Sequence, residues 1–264
     1  MSENEVVLPG GNVNPGVMRV GNTVRRTTTP ASPTIHRLLL HLEAKGFAGS
    51  PRFLGIDSQG REILTFLEGE TAIPPAIWQG EEALLAVAVL LRRYHDATLN
   101  FDRSEGDLWA ERPASDGRGE VICHNDFAPY NFVYAAGLPW GVIDFDLAGP
   151  GPRLRDVAYG AYWMVPLSFH SADQRSFAEA DLRNGSYRCR LFCDTYGIPV
   201  TGEFFEMIAD VLRFMGDEEG MRQLLGSTAA AKLNAEGHLA HWQAEALAFA
   251  QYRPQIEENL LGQG

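Results

Sequence analysis

The sequence predicts an α+β chain of two lobes, a small β-rich N-terminal lobe with one helix and a larger, mostly helical C-terminal lobe. Three observations predict it. Short β-branched and apolar runs separated by glycine turns fill Glu5 to Phe66, interrupted by a single stretch of helical period. An apolar strand then gives way to glycine and Pro74-Pro75, a compositional break that divides residues 1–68 from residues 69–264. Beyond the break, apolar residues recur at helical spacing for most of the remaining length.

In order, Val6-Val7-Leu8 is the first strand and Pro9-Gly10-Gly11-Asn12 its turn. Val17-Met18-Arg19-Val20 and Thr23-Val24-Arg25-Arg26 form a hairpin across Gly21-Asn22. A helix over Ser32–Lys45, with Ser32 as N-cap, follows from the spacing of Ile35, Leu38, Leu39 and Leu42. Pro51 to Gly55 and Arg61 to Phe66 are two further strands around the Asp57-Ser58-Gln59-Gly60 turn. Phe66-Leu67-Glu68-Gly69-Glu70 reads either as a hinge between lobes or as a plain strand-to-loop exit.

A helix from Ile77 to Ala97 has a wide apolar face, and Asn100 to Glu120 is an aperiodic loop. Three long helices are expected near the C-terminus, Asp173–Tyr196, Gly202–Leu225 and Thr228–Asn259.

With 264 residues and 45% hydrophobic content the chain has ample material for a core. A formal net charge of −12 without a basic stripe argues against nucleic acid or an anionic membrane as partner, and is a hint of steering toward a cationic substrate. The longest apolar run, Ala83 to Leu91, is too short to span a bilayer. Met1-Ser2-Glu3-Asn4-Glu5 has neither a basic nor an apolar leader, so a cytoplasmic protein is expected. Cys123, Cys189 and Cys193 form no disulfide framework. No feature assigns an oligomeric state.

The chemistry concentrates between Val121 and Asp156. Asn131-Phe132-Val133-Tyr134 and Trp140-Gly141-Val142-Ile143-Asp144 make a hairpin around Gly137-Leu138. A register centred on that loop sets Tyr134 opposite Gly141, Phe132 opposite Ile143 and Asn131 opposite Asp144, with Cβ atoms about 4.5–5.5 Å apart. An amide oxygen and a carboxylate so placed suit Mg²⁺. Asp126, at the entry to the hairpin, is then free to accept a proton.

Read together, His124-Asn125-Asp126-Phe127, Asn131 and Ile143-Asp144-Phe145-Asp146 resemble the catalytic-loop and metal-aspartate pattern of the protein-kinase fold. In wording they are similar to the aminoglycoside phosphotransferase family of small-molecule kinases. The resemblance implies a bilobal kinase-like fold, ATP or GTP as co-substrate, Mg²⁺ on Asn131 and Asp144, and Asp126 as the catalytic residue acting on a small hydroxyl-bearing acceptor. Gly10 and Gly11 then fall at the phosphate-covering turn, and the backbone around Glu68 offers the adenine edge a donor and an acceptor. Asp156 matches the carboxylate that buttresses the catalytic loop, His124 a packing residue, and Asp146 a site for a water or a second metal. The short segment from Asp144 to Asp156 favours a small acceptor over a docked peptide.

The family pattern also implies a lysine on the third strand paired with a glutamate early in the following helix. Here alternation puts Arg25 on the Met18 and Val20 face, which makes Arg25 the candidate for the lysine position, and His36 stands where the glutamate is expected. These departures keep a second function open, a nucleotide-binding module without catalysis. Retention of Asp126, Asn131 and Asp144 together favours the enzyme.

In the C-terminal helices Trp163, Tyr187, Phe204, Phe205 and Trp242 are candidates for a cationic cage, although aromatics at helical spacing are more often core. Asp217-Glu218-Glu219 reads either as an amine-binding group or as a solvated turn. His238 and His241 lack an evident third ligand, and no zinc site is expected from them.

Overall fold

Strand alternation in the first lobe produces one antiparallel sheet, and the pairing of its third and fifth strands sets which side chains enter the site. The computed structural model describes residues 5–8, 16–109 and 119–262. Strands β1 (Glu5–Val7), β2 (Met18–Val20), β3 (Thr23–Thr27), β4 (Phe53–Ile56) and β5 (Arg61–Thr65) lie in the order β1-β2-β3-β5-β4. The predicted turn at Gly10 and Gly11 falls outside the described residues.

Between β3 and β4, helix α1 (Ser32–Ala44) buries Ile35, Leu38, Leu39 and Leu42, the stripe its period predicts. Its N-cap is Ala31 rather than Ser32, and the Ser32 hydroxyl accepts from the Thr29 N–H at 2.8 Å just ahead of the helix.

Pairing of β3 with β5 sets Val24 against Leu64 and Arg26 against Glu62, so these four share one face. Leu64 on that face is buried and Val24 packs on the core. Arg25 pairs with Ile63 and points to the other side.

The connection between lobes is pinned to the second. Glu70 N–H donates to the Tyr134 carbonyl at 2.9 Å and receives the Tyr134 N–H on its own carbonyl at 2.8 Å. Gly69 beside it has φ of 153°, and a Cβ there would meet the Tyr134 oxygen at 2.5 Å and Val133 Cγ1 at 2.7 Å.

The second lobe opens with a 3-10 turn at Pro75–Trp78 and helix α2 (Glu81–Thr98). Short strands β6 (Val121–Cys123), β7 (Phe132–Ala135), β8 (Leu138–Val142) and β9 (Gly149–Gly151) follow, then helix α3 (Arg153–Met164). β7 pairs with β8, and β6 with β9.

Helices α4 (Ala172–Arg183), α5 (Tyr187–Tyr196), α6 (Gly202–Met215), α7 (Glu218–Leu225), α8 (Ser227–Ala235) and α9 (His238–Leu261) complete it. Each of the three helices expected from periodicity is thus divided or bounded by a break. Gly185 and Ser186 break the first with φ of 72° and 56°, Gly216-Asp217 breaks the second, and Gly237, with φ of 84°, breaks the third. Asp217 caps α7 by accepting from the Glu219 N–H, so the acidic trio is a helix start. Phe204 and Phe205 are fully buried core residues of α6.

One buried carboxylate ties three helices to the segment His124-Asn125-Asp126. Asp156 in the first turn of α3 is 0% exposed and accepts from the backbone N–H of His124 at 2.6 Å and of Asn125 at 2.9 Å. His95 of α2 contacts it through Nε2 at 3.1 Å, and the other ring nitrogen of His95 meets the Tyr196 hydroxyl of α5 at 2.7 Å. Burial alone would raise the Asp156 pKa, but the His95 hydrogen bond and charge, together with the His124 N–H, hold it below its ordinary value.

Two predictions follow from these fastenings. Gly69→Ala is expected to cost roughly 1–3 kcal/mol, through backbone strain and the clash with Tyr134, read as a lower urea midpoint; an unchanged midpoint would show that the hinge is not held. Asp156→Ala is expected to cost about 3–5 kcal/mol, because it strands two buried N–H groups and His95. Since the folded pKa of Asp156 is depressed, its contribution is present above about pH 4 and disappears as the pH falls through the folded value. The stability gap between wild type and Asp156→Asn should therefore narrow in acid.

Candidate active site

β6 delivers the chain to His124-Asn125-Asp126, and Asn125 turns it with φ of 66° while its amide donates to the Leu147 carbonyl at 2.8 Å. His124 is fully buried, with Nε2 at 3.1 Å from the Ile143 carbonyl and its ring against Phe145. It therefore packs the start of this loop onto the segment that carries Asp144.

Asp126 is held from two sides. The Tyr130 hydroxyl donates to its Oδ1 at 2.5 Å, and the Asn131 amide nitrogen donates to its Oδ2 at 2.8 Å and to its backbone carbonyl at 2.9 Å. Tyr130 also meets the Tyr159 hydroxyl at 3.0 Å.

The hairpin forms, but with a different register from the symmetric one. Phe132 pairs with Val142, Val133 with Gly141, and Tyr134 with Pro139 across an irregularity. Pro139 has no N–H to give to the ladder, which accounts for a bulge at that point. Asn131 accepts from the Ile143 N–H at 2.9 Å, and Asp144 leaves the strand in the left-handed region with φ of 65° instead of lying directly opposite Asn131. A non-glycine residue held there is uncommon and is characteristic of functional turns.

Asp144 and Asp146 face the first lobe across Arg26. The Arg26 guanidinium reaches Asp146 at 2.6 and 3.1 Å and Asp144 at 3.5 Å, while its Nε donates to Glu62. His36 Nε2 lies 2.6 Å from the other Glu62 oxygen, and its ring stacks on Phe53 at 3.8 Å. An unbroken polar chain from His36 through Glu62 and Arg26 to the two aspartates therefore crosses from one lobe to the other. The Asp144 side chain is 46% exposed, yet desolvation by the cleft walls around it and the adjacent Asp146 hold its carboxyl above the ordinary carboxylate range, against the opposing pull of Arg26.

Arg25, the residue expected on this face, lies on the other one. It donates to the Thr23 hydroxyl at 2.5 Å and stands 3.8 Å from Asp57. The alternation was right but the face was reversed, so the cleft receives Arg26. Glu62, absent from the sequence expectations, has a signal in hindsight: it shares a strand face with Leu64, an unusual place for an acidic side chain unless paired. Glu68 is 69% exposed at its side chain and pairs with Arg19 at 2.9 Å. Gly10 and Gly11 lie outside the described residues.

The donor set suits Mg²⁺. With its nitrogen committed to Asp126, Asn131 keeps its amide oxygen for other partners, and Asp144 and Asp146 add carboxylates whose mutual repulsion a hard cation relieves. Beyond Asp126 stands an aromatic wall, in which Trp163 packs against Tyr130, Tyr159 and Trp242 at 5.8, 6.3 and 6.0 Å. The Trp163 indole N–H is buried without a hydrogen-bond partner. Of the candidate cage residues, Trp163 and Trp242 stand here, Phe204 and Phe205 are core, and Tyr187 is exposed on α5.

Comparison with known proteins shows the family and the fold. Residues 78–192 match the model of the phosphotransferase enzyme family that includes the aminoglycoside phosphotransferases. The trifolitoxin immunity protein of Rhizobium leguminosarum bv. trifolii is 36% identical over 200 residues, covering 74% of this chain and 75% of that protein. Among solved structures, an ethanolamine kinase of Plasmodium vivax superposes with a TM-score of 0.56 at 12% identity, covering 96% of this chain and 83% of the other. The streptomycin–ATP ternary complex of APH(2″)-IIa gives 0.54 at 14% identity, with 93% of both chains covered. At such identities the structural likeness establishes the fold, a small antiparallel sheet lobe beside a helical one. Among the described residues no helix is long and apolar enough to cross a membrane. By its family-model match and its curated relative, the chain belongs to the phosphotransferase enzyme family of aminoglycoside-phosphotransferase type.

Proposed function

We propose that the chain transfers the γ-phosphoryl group of ATP or GTP to a hydroxyl of a small molecule, with residues 1–68 forming the nucleotide lobe and residues 69–264 the catalytic and acceptor lobe. The observation that carries this is the meeting, in one cleft, of Asp126 held by Tyr130 and Asn131 with Asp144, Asp146 and Arg26. The rings beside Asp126, Tyr130 and Trp163, offer apolar surface that an acceptor molecule can pack on.

In this reading Asp126 accepts the proton of the acceptor hydroxyl, or orients it, for in-line attack. Its two hydrogen bonds fix the carboxylate before substrate arrives, which is the kind of positioning on which phosphoryl transfer depends. Asn131 and Asp144 are the residues that would hold Mg²⁺, with Asp146 beside them; when bound, the ion supplies charge neutralisation at the nucleotide phosphates. Arg26 takes the part first assigned to Arg25, a cation on the third strand facing the phosphates, and Glu62 with His36 takes the part of the missing helix glutamate by fixing the guanidinium. Backbone N–H groups at Gly10 and Gly11 cover the phosphates, and the segment at Glu68 receives the base. Tyr130, Trp163 and Trp242 contact the acceptor.

The relative named for immunity to trifolitoxin favours a further specification, that the acceptor is a toxin inactivated by phosphorylation. The competing function is a nucleotide-binding module without transfer.

Nucleotide turnover with Mg²⁺ and a panel of aminoglycosides, choline, homoserine, sugars, macrolides and peptide toxins separates these. Asp126→Asn is expected to lower kcat by about 10²- to 10⁴-fold with nucleotide affinity nearly unchanged. Asp144→Ala is expected to weaken Mg²⁺-dependent nucleotide binding itself, measured by calorimetry. Nucleotide binding with no transfer to any acceptor would favour the module. Arg26→Ala tests the clamp, with an expected loss of at least about tenfold in kcat/KM and Arg25→Ala close to wild type; the reverse order would restore Arg25 to the site.

A further inference from the structure

On α9, His241 and Glu245 stand one helical turn apart and project from the same face. The loop between α3 and α4 brings His170 against that face. The His170 and His241 rings lie 6.1 Å apart, His170 Nδ1 is 3.7 Å from Glu245 Oε1, and one ligand-capable atom from each of the three residues lies within 4.8 Å of the others. His238, from which with His241 no zinc site is expected, stays outside the cluster and turns to Glu236 at 3.6 Å.

Glu245 supplies a second, independent observation. It is 0% exposed, and one carboxylate oxygen accepts from the Ser168 hydroxyl at 2.9 Å, while the other, Oε1, is buried without a hydrogen-bond partner. Tyr162 lies against the same carboxylate, and Oε1 faces the His170 and His241 rings, so a buried acceptor is aimed at two imidazole nitrogens.

We propose that His170, His241 and Glu245 form a binding site for a divalent transition-metal ion of the zinc class, separate from the Mg²⁺ donor set of the cleft. Two imidazoles and one carboxylate are a nitrogen-rich set that suits Zn²⁺ or Co²⁺ and is poorly matched to Mg²⁺ or Ca²⁺, which take oxygen ligands. Tetrahedral bonds of about 2.0–2.2 Å bring ligand atoms to about 3.3 Å from one another, so the cluster contracts on binding. His170 has the freedom to close it, with a side chain 54% exposed on a loop, whereas Glu245 is fixed in the core. The exposed histidines leave a fourth position open to water or to a ligand. Another cluster of the same compactness, His95, Cys123 and Asp156, differs on this point: all three residues are buried, and His95 and Asp156 are already committed to Tyr196 and to the backbone of the catalytic loop.

The ion would clip α9 to the loop ahead of α4. Trp242, next to His241, packs on Trp163, and Trp163 on Tyr130, which holds Asp126. Metal binding would thus stiffen the aromatic wall of the acceptor side.

The test is a titration of the chelator-treated full-length protein with Co²⁺, followed by visible absorption, and with Zn²⁺, followed by thermal melting. One equivalent of Co²⁺ with intense bands of low coordination number, displaced by Zn²⁺, and a Tm raised by several degrees are expected. His170→Ala and His241→Ala, both at exposed positions that should not impair folding, are each expected to weaken Zn²⁺ binding by at least about tenfold, and Asp144→Ala to leave it unchanged. Absence of binding overturns the proposal. So does binding that survives both histidine substitutions, or that disappears with Asp144→Ala, since the ion would then sit elsewhere.

Discussion

The Arg26 guanidinium is the point in the cleft at which charges of the two lobes meet, apart from the pair that Arg37 of α1 makes with Asp107. Its Nε lies on Glu62 of the sheet, and its terminal nitrogens lie on Asp146 and Asp144 of the second lobe. The side chain of Glu62 is 1% exposed and that of Arg26 13%, so removing either partner would leave a largely desolvated charge behind. Buried ion pairs are weak sources of stability compared with apolar packing, but breaking one strands its partner. The fork of hydrogen bonds on Arg26 thus ties β3 and β5 to the segment that carries Asp144 and Asp146.

His36 explains how a strand glutamate can serve in place of a helical one. The usual device anchors the third-strand cation from the helix; here the helix contributes an imidazole, stacked on Phe53, which holds Glu62 from behind. A glutamate at position 36 would place two carboxylates together around one guanidinium. The imidazole instead offers a hydrogen bond without adding negative charge, and in doing so it fixes which Glu62 oxygen remains for Arg26. Departures at positions 25 and 36 that looked like the loss of an ion pair are in this light a rearranged pair, with the acid moved from helix to adjacent strand.

The limits of what could be read from the sequence have the same physical origin. Asp126, Asn131, Asp144 and Asp156 were legible because their spacing along the chain is local, within one loop, one hairpin and one helix start. The stripes of α1 and α2 were legible because a buried face imposes its period. Arg25 and Arg26 were not separable, since both faces of β3 carry polar residues and alternation alone does not say which faces the cleft. Glu62 becomes meaningful only with the register of β5 on β3, a long-range fact. The hairpin register failed at its turn, where Ala135 pairs with Leu138 so that Ala136-Gly137, with φ of 51° and 79°, forms the loop. The long helices failed at Gly185 and Gly237, whose positive φ ends a helix without ending its hydrophobic pattern, and at Gly216-Asp217, where Asp217 caps a new helix.

The two sides of the cleft are built from different physics. The sheet side depends on charges placed to within an ångström, where one substitution leaves another group unpaired. The side beyond Asp126 depends on packed rings, Tyr130, Tyr159, Trp163 and Trp242, contributed by the catalytic loop, α3 and α9. Aromatic packing tolerates exchange of one ring for another far better than a buried ion pair tolerates loss of a partner. Yet the wall is not independent of the chemistry, because the Tyr130 hydroxyl that joins it to Asp126 also fixes the orientation of that carboxylate. Under the proposed function, a change of acceptor preference comes from Trp163 or Trp242 with Asp126 undisturbed, whereas a change at Tyr130 reaches that carboxylate directly.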